Sequence, residues 1–249
     1  VFFAGFYWRV IRINGDGSIR MIYAGTDYNS TYDDTVGTSA FNDEYENNMY
    51  VGYMYQSGQL HGLQQPSTIK RILDNWYTNN IANKGYGEYV DGNAGFCGDR
   101  RTSSGSGTGT STTDYQSYTR ISNSSPSLTC QTEDIYTTKE SSTGNKALIR
   151  PIGLISADEA MFAGIPNQNG SNNNNYLYTN TNYWTMTPSR FNNGYANVFL
   201  VNYKGYLYSD GVGVTIITPG VHPVINLRSD VEITGSGTST NPFKVVGAS

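Results

Sequence analysis

Residues 6–13, FYWRVIRI, are followed by Asn14-Gly15-Asp16-Gly17 and then by residues 18–24, SIRMIYA. After Trp8 the first segment alternates apolar and basic side chains. Turn formers with Gly follow, and a second apolar segment returns. This pattern predicts a β-hairpin at the start of the chain. Working outward, residues 26–46 form a polar, acidic loop holding Asp27, Asp33, Asp34, Asp43, Glu44 and Glu46, with no Lys or Arg between Arg20 and Lys70. Residues 49–55, MYVGYMY, read as a short aromatic strand. The clearest helix is expected over 67–80. Ser67 caps it after Pro66, and Ile69, Ile72, Leu73, Trp76 and Tyr77 make an apolar stripe at helical spacing. Residues 147–155, ALIRPIGLI, read as a buried extended segment interrupted by Pro151. Residues 156–163 read as a short helix, with Ser156 at its cap, Asp158 and Glu159 in its first turn and Gly164 ending it. Closely spaced strands are then expected at 183–186, 196–202, 206–208, 212–217, 221–227 and 243–246.

The 249 residues fit one domain, spanning 1–249, built of two helices among many short strands and long loops. The class is therefore α+β. Net charge is −4, which gives no electrostatic case for nucleic acid or an anionic membrane as partner. No apolar run approaches the roughly 20 residues of a spanning helix. The chain opens on Val1, with no Met and no leader, as expected of a mature or excised segment. Only 14% of residues are charged, against a usual ~25%, yet mean hydropathy is −0.48. The polarity comes from uncharged groups, among them 26 Asn, 21 Tyr and 28 Gly. Such a composition suits extracellular β proteins and adaptable binding surfaces.

Cys97 and Cys130 flank a stretch, 101–129, with almost no apolar content. A bridge between them would close this insertion into a loop and stabilise the fold by roughly 3–4 kcal/mol in the chain-entropy model. The alternative is two buried thiols. Catalytic patterns are sparse. His61 lies in a loop and His222 in a strand, neither with zinc spacing, and each reads as a structural histidine. Gly105-Ser-Gly-Thr-Gly109 lacks the helix a phosphate loop needs. Adjacent helical residues diverge by about 100°, so Asp158 and Glu159 read as capping and dipole groups rather than as a catalytic pair. Asp27, Asp33 and Asp34 are weak calcium candidates, without the DxDxDG register, and a solvated acidic loop is the plainer reading. No cofactor and no enzymatic activity are expected. The sequons at Asn29, Asn123 and Asn169 are the chance matches expected of an Asn-rich chain.

The densest feature is residues 167–210, with 12 Asn and ten aromatic residues. Rings supply rigid contact area, and amides supply adaptable hydrogen bonds. Both also suit sugars, whose C–H faces stack on rings. Tyr183, Arg190, Phe191, Asn192, Asn193, Tyr195, Asn197, Tyr203, Tyr206, Tyr208 and Asp210 are the candidate ligand-binding residues, with Tyr206 and Tyr208 the best individual ones. Trp184, Phe199 and Val201 are expected in the core.

Several segments occur together in order: WRVIRINGDGSIR at 8–20, LDNWY at 73–77, FCGDR at 96–100, GLISADE at 153–159, YWTMTP at 183–188 and GVHPVINL at 220–227. The series resembles a group of surface proteins of gut Firmicutes and related bacteria whose C-terminal part is similar to a C-type lectin-like domain of the formylglycine-generating-enzyme type. That fold also serves diversified phage and bacterial receptors. The resemblance implies that FYWRVIRI and VHPVINL are the paired first and last strands, that 67–80 and 156–163 are the two helices, and that 183–217 present the ligand surface. A charged residue, commonly Arg in a GVRP pattern, is more usual where His222 stands. The Glu-Pro-Asn motif of calcium-dependent lectins is absent, as are the C-terminal copper-binding cysteines, so neither activity is implied. The resemblance implies an extracellular or cell-surface adhesion domain binding a host or bacterial surface glycan or protein. A structural subunit of a self-associating filament, pilus or coat is the alternative, and the apolar residues at 1–8 suit it.

Overall fold

The computed structural model describes residues 1–27, 35–141, 143–209, 212–238 and 240–248. The expected hairpin forms from strands Phe6–Ile13 and Ile19–Tyr23, antiparallel, with a register shift between Val10 and Arg12. It nucleates a six-stranded sheet in the order Val224–Leu227, Ile19–Tyr23, Phe6–Ile13, Phe2–Phe3, Lys244–Val245, Ile233–Thr234. All pairings are antiparallel except Phe2–Phe3 with Lys244–Val245, which run parallel. The first and last strands in the chain thus pair. Val224–Leu227 does not pair with Phe6–Ile13 as the resemblance implied. It pairs with the return strand Ile19–Tyr23, which stands between them.

The second sheet has five antiparallel strands in the order Leu207–Tyr208, Tyr195–Val201, Tyr183–Asn192, Thr113–Tyr115, Thr102–Ser104. Its central hairpin turns at Asn193-Gly194, both residues at positive φ (51° and 81°), which is the two-residue turn Asn-Gly favours. Gly153 bridges to Val224 in the first sheet, and Gly220 bridges to Tyr183 in the second. Buried side chains from both sheets join one apolar cluster that includes Phe3, Trp8, Phe41, Leu73, Trp184 and Val224. The molecule is α+β, rich in short strands, and among the described residues no helix is long and apolar enough to cross a membrane.

Helix α1, Thr68–Asn80, starts where expected, with Ser67 Oγ accepting from the Lys70 amide. Ile69, Leu73 and Tyr77 are fully buried, while Ile72 and Trp76 are half-buried. Lys70 and Asp74, one turn apart on the same face, are buried as an ion pair beneath the Tyr53 ring, which the apolar stripe did not announce.

Three expectations are corrected. Residues 49–55 are not one strand. Asn47 Oδ1 accepts from the Met49 amide and starts a 3-10 turn, Asn48–Val51, so only Met54–Tyr55 is extended. Residues 212–217 make an isolated bridge, Asn197 to Gly213, rather than a named strand. The 97–130 segment is folded rather than a bare loop. It supplies strands Thr102–Ser104 and Thr113–Tyr115 to the second sheet and carries a third helix, α2, Gln116–Ser122. Buried Tyr115 and Ile121, with half-buried Tyr118, are its large apolar anchors. Polar bonds hold the rest: Asn48 Nδ2 donates to the carbonyls of Thr108, Gly109 and Ser111, and Ser117 Oγ donates to the Pro188 carbonyl. The Cys97–Cys130 disulfide forms, with a Cα–Cα distance of 5.9 Å.

His222 is buried beside the Tyr183 ring, their centroids 4.5 Å apart. Burial first, and the nearby Arg9 charge second, push its imidazole down to about 3 from an ordinary 6.5, so it is neutral at pH 7. The unfolded chain takes up a proton below pH 6.5 that the folded chain refuses until near pH 3, so stability falls as pH falls through that window. Urea unfolding from pH 7 to 4 is expected to show this loss, reaching a few kcal/mol, and His222→Gln is expected to flatten it. An unchanged slope in the variant would show that His222 does not control this limb.

Candidate functional site

The predicted tyrosine and asparagine residues separate into three environments. Tyr183, Phe191 and Asn197 are buried. Tyr183 donates its hydroxyl to the Leu177 carbonyl, and Asn197 Nδ2 braces the hairpin tip by donating to the Tyr195 carbonyl (2.8 Å) and to Asn192 Oδ1 (3.0 Å). In an antiparallel sheet with both faces covered, strand position decides burial, and these three positions face protein. They are scaffold, not surface.

A second group lies at the hairpin tip. Asn193 is exposed at the turn, Asn192 is half-buried beside it, and Tyr195 is 49% exposed. Tyr195 stacks on Tyr45, centroids 4.8 Å apart and planes 11° apart. The Tyr45 carbonyl accepts from the Ala196 amide at 2.9 Å, so the acidic loop is strapped against the strand. Glu44 and Glu46 flank this pair, and the Glu46 charge, first among the causes, pushes the Tyr45 hydroxyl up. Arg190, on the adjoining strand, lays its guanidinium over the Tyr118 ring at 3.7 Å and pairs with Asp114 at 3.3 Å. The third group is at the other end of the same hairpin. Tyr203 is 48% exposed with Lys204 Nζ over its ring, and Tyr206 and Tyr208 are half-buried, edge to face at 6.1 Å. Tyr208 pairs opposite Leu200, five residues along the strand from Tyr195, or about 17 Å. The residues close in sequence therefore form two patches, not one. Asp210, Asp33 and Asp34 lie outside the described residues. Asp27 is exposed, and among the described residues no three Asp, Glu, His or Cys side chains cluster to hold a metal.

Sequence reading did not find a sizeable cavity in this structure. It encloses about 290 Å³ where the opening hairpin, the disulfide, α2 and the helix α3, Ala157–Phe162, meet. Two ion-pair sets form its walls. Arg20, buried in the return strand, puts Nε 2.6 Å from Glu159 Oε1 and lies over the Phe96 ring at 4.5 Å, and Arg12 Nη2 reaches the same carboxylate oxygen at 3.2 Å. Glu159 also completes the capping box, accepting from the Ser156 amide at 2.9 Å while its own amide donates to Ser156 Oγ. Across the cavity Arg120 donates to both oxygens of Asp158 (3.0 and 2.8 Å) and to Asp99. Burial pushes the Asp99 carboxyl up, against the pull of Arg120. Glu159 thus caps its helix as expected and also holds Arg20 and Arg12, while Asp158, in the same first turn, bonds Arg120 and the Ser127 amide instead. His61 pairs with buried Asp134 at 2.8 Å. Compared with known protein families, curated proteins and solved structures, the chain matches none of them.

Proposed function

We propose that this chain is an extracellular binding domain of a bacterial or phage surface protein, built on a C-type lectin-like fold. It recognises glycan or protein by contact alone, without catalysis. The observation that carries this reading is the Tyr45–Tyr195 stack, an exposed ring laid on a half-buried one at a hairpin tip, with the exposed Asn193 beside it. A preorganised ring loses little entropy on binding and offers a flat face to sugar C–H groups or to another side chain. The disulfide supports an oxidising, extracellular setting. Contacts of this type are worth about 1 kcal/mol each, so one site is weak and gains from display in many copies.

Glycan and protein arrays test this. The Tyr45→Ala/Tyr195→Ala double variant is expected to lower signal roughly ten- to thirtyfold, and Tyr206→Ala/Tyr208→Ala is expected to leave it near wild type. Binding that survives the first double variant rejects the hairpin tip. Loss confined to the second moves the site to the far patch. The exposed Ile13, Ile149 and Ile217 favour the alternative of a self-associating subunit. A monodisperse monomer in light scattering at high concentration removes that alternative.

A further inference from the structure

We propose that the cavity between the opening hairpin, the disulfide and helices α2 and α3 is a second binding site, independent of the tyrosine surface, for a neutral polyhydroxylated ligand of the size of one sugar ring. Volume sets the upper limit. About 290 Å³ stands at the small end of ligand pockets, which run from about 300 to 1,000 Å³.

Charge sets the class. The lining carries Arg12, Arg20 and Arg120 against Asp16, Asp99, Asp158 and Glu159, a balance of 3 − 4 = −1. Most of these charges already neutralise one another, Glu159 with two arginines and Arg120 with two aspartates. A cation drawn to Asp99 meets Arg120, and an anion drawn to Arg120 meets Asp99 and Asp158, so neither ion is favoured.

The uncharged part of the lining decides the chemistry. Beside the ion pairs the cavity is lined by the amides of Asn14 and Asn93 and the hydroxyls of Ser127, Thr129, Ser156 and Thr187. A hydroxyl group is both donor and acceptor, so neighbouring hydroxyls on one ring suit amide and hydroxyl partners of either sense. Leu128, Ile135 and the disulfide give the same cavity apolar wall for the ring's C–H face.

The experiment titrates a panel of neutral monosaccharides and their charged analogues, a uronic acid and an amino sugar, by ligand-observed NMR and calorimetry. Thr129→Trp, at an exposed lining position, narrows the cavity without touching either ion-pair set, and Leu128→Trp does so from the neighbouring position. Melting temperature confirms that each variant folds. Measured in the Tyr45→Ala/Tyr195→Ala background, which takes the hairpin tip out of the signal, at least one neutral sugar is expected to bind at millimolar concentration or below, and tenfold or more weaker once a tryptophan substitution that folds is added. The proposal is overturned if no neutral sugar binds in that range, if the folded tryptophan variants bind equally well, or if a charged analogue binds more tightly than its neutral parent. Loss of sugar binding in the tyrosine variant alone assigns it to the hairpin tip and likewise overturns the cavity site.

Discussion

Glu159→Ala is expected to lower the free energy of unfolding by about 3–5 kcal/mol, the usual result of stripping the partner from a buried charge. Arg20 is fully buried, and its other contacts, the Phe96 ring at 4.5 Å and the carbonyl oxygens of Gly95 and Leu154 at 3.4 Å each, bring no negative charge. Without Glu159 the guanidinium stays out of water with no counter-charge. The variant also loses half of the α3 capping box, itself worth about 1 kcal/mol. Urea denaturation measures the sum, and a loss below about 1 kcal/mol would contradict the assignment. The paired replacement Arg20→Met/Glu159→Leu is expected to recover most of it, because a dry apolar pair needs no compensation. The pH dependence follows from the same contact. Burial alone would push the Glu159 carboxyl up, but Arg20, Arg12 and the Ser156 amide outweigh it and hold it below its ordinary 4.5. A depressed carboxyl contributes stability above its unfolded value and loses it as pH falls through its folded value. Glu159→Gln is expected to remove that acid limb.

Breaking the Cys97–Cys130 bridge is the second large effect. Its 33-residue separation corresponds to about 3–4 kcal/mol of denatured-state entropy, and for a chain of this size to a fall in melting temperature of roughly 10 °C. Cys97→Ser/Cys130→Ser, or wild type under reductant, is expected to show it in calorimetry. The folded strands and α2 inside the closed segment sharpen the test. Their polar bonds to Asn48 and Pro188 can keep the segment folded without the crosslink, but a melting temperature that does not move would contradict the denatured-state account of the bridge.

Local signals in the sequence carried part of this fold. The 6–24 hairpin, the Ser67 and Ser156 caps and the apolar stripe of α1 are each written within a few residues of chain. The 102–122 elements were not readable in that way, because Asn48 and Ser117 hold them through partners about 60–70 residues away. Arg20 looks like Arg9 and Arg12 in the alternating hairpin, and only a carboxylate 139 residues distant makes its burial tolerable. The cavity escaped for the same reason, its charged walls coming from four separate segments. In 183–210 composition pointed to rings and amides, but strand direction, which composition does not hold, turned Tyr183, Phe191 and Asn197 inward and sent the other tyrosines to opposite ends.

The parallel pairing of Phe2–Phe3 with Lys244–Val245 has a mechanical consequence. The Phe2 amide donates to the Phe243 carbonyl and the Ala4 amide to the Ala248 carbonyl. Tension applied between the two ends of the chain pulls these neighbours past each other along their length. It therefore loads both bonds together instead of peeling them one at a time. The clasp resists sliding before any load reaches the sheet that displays Tyr195.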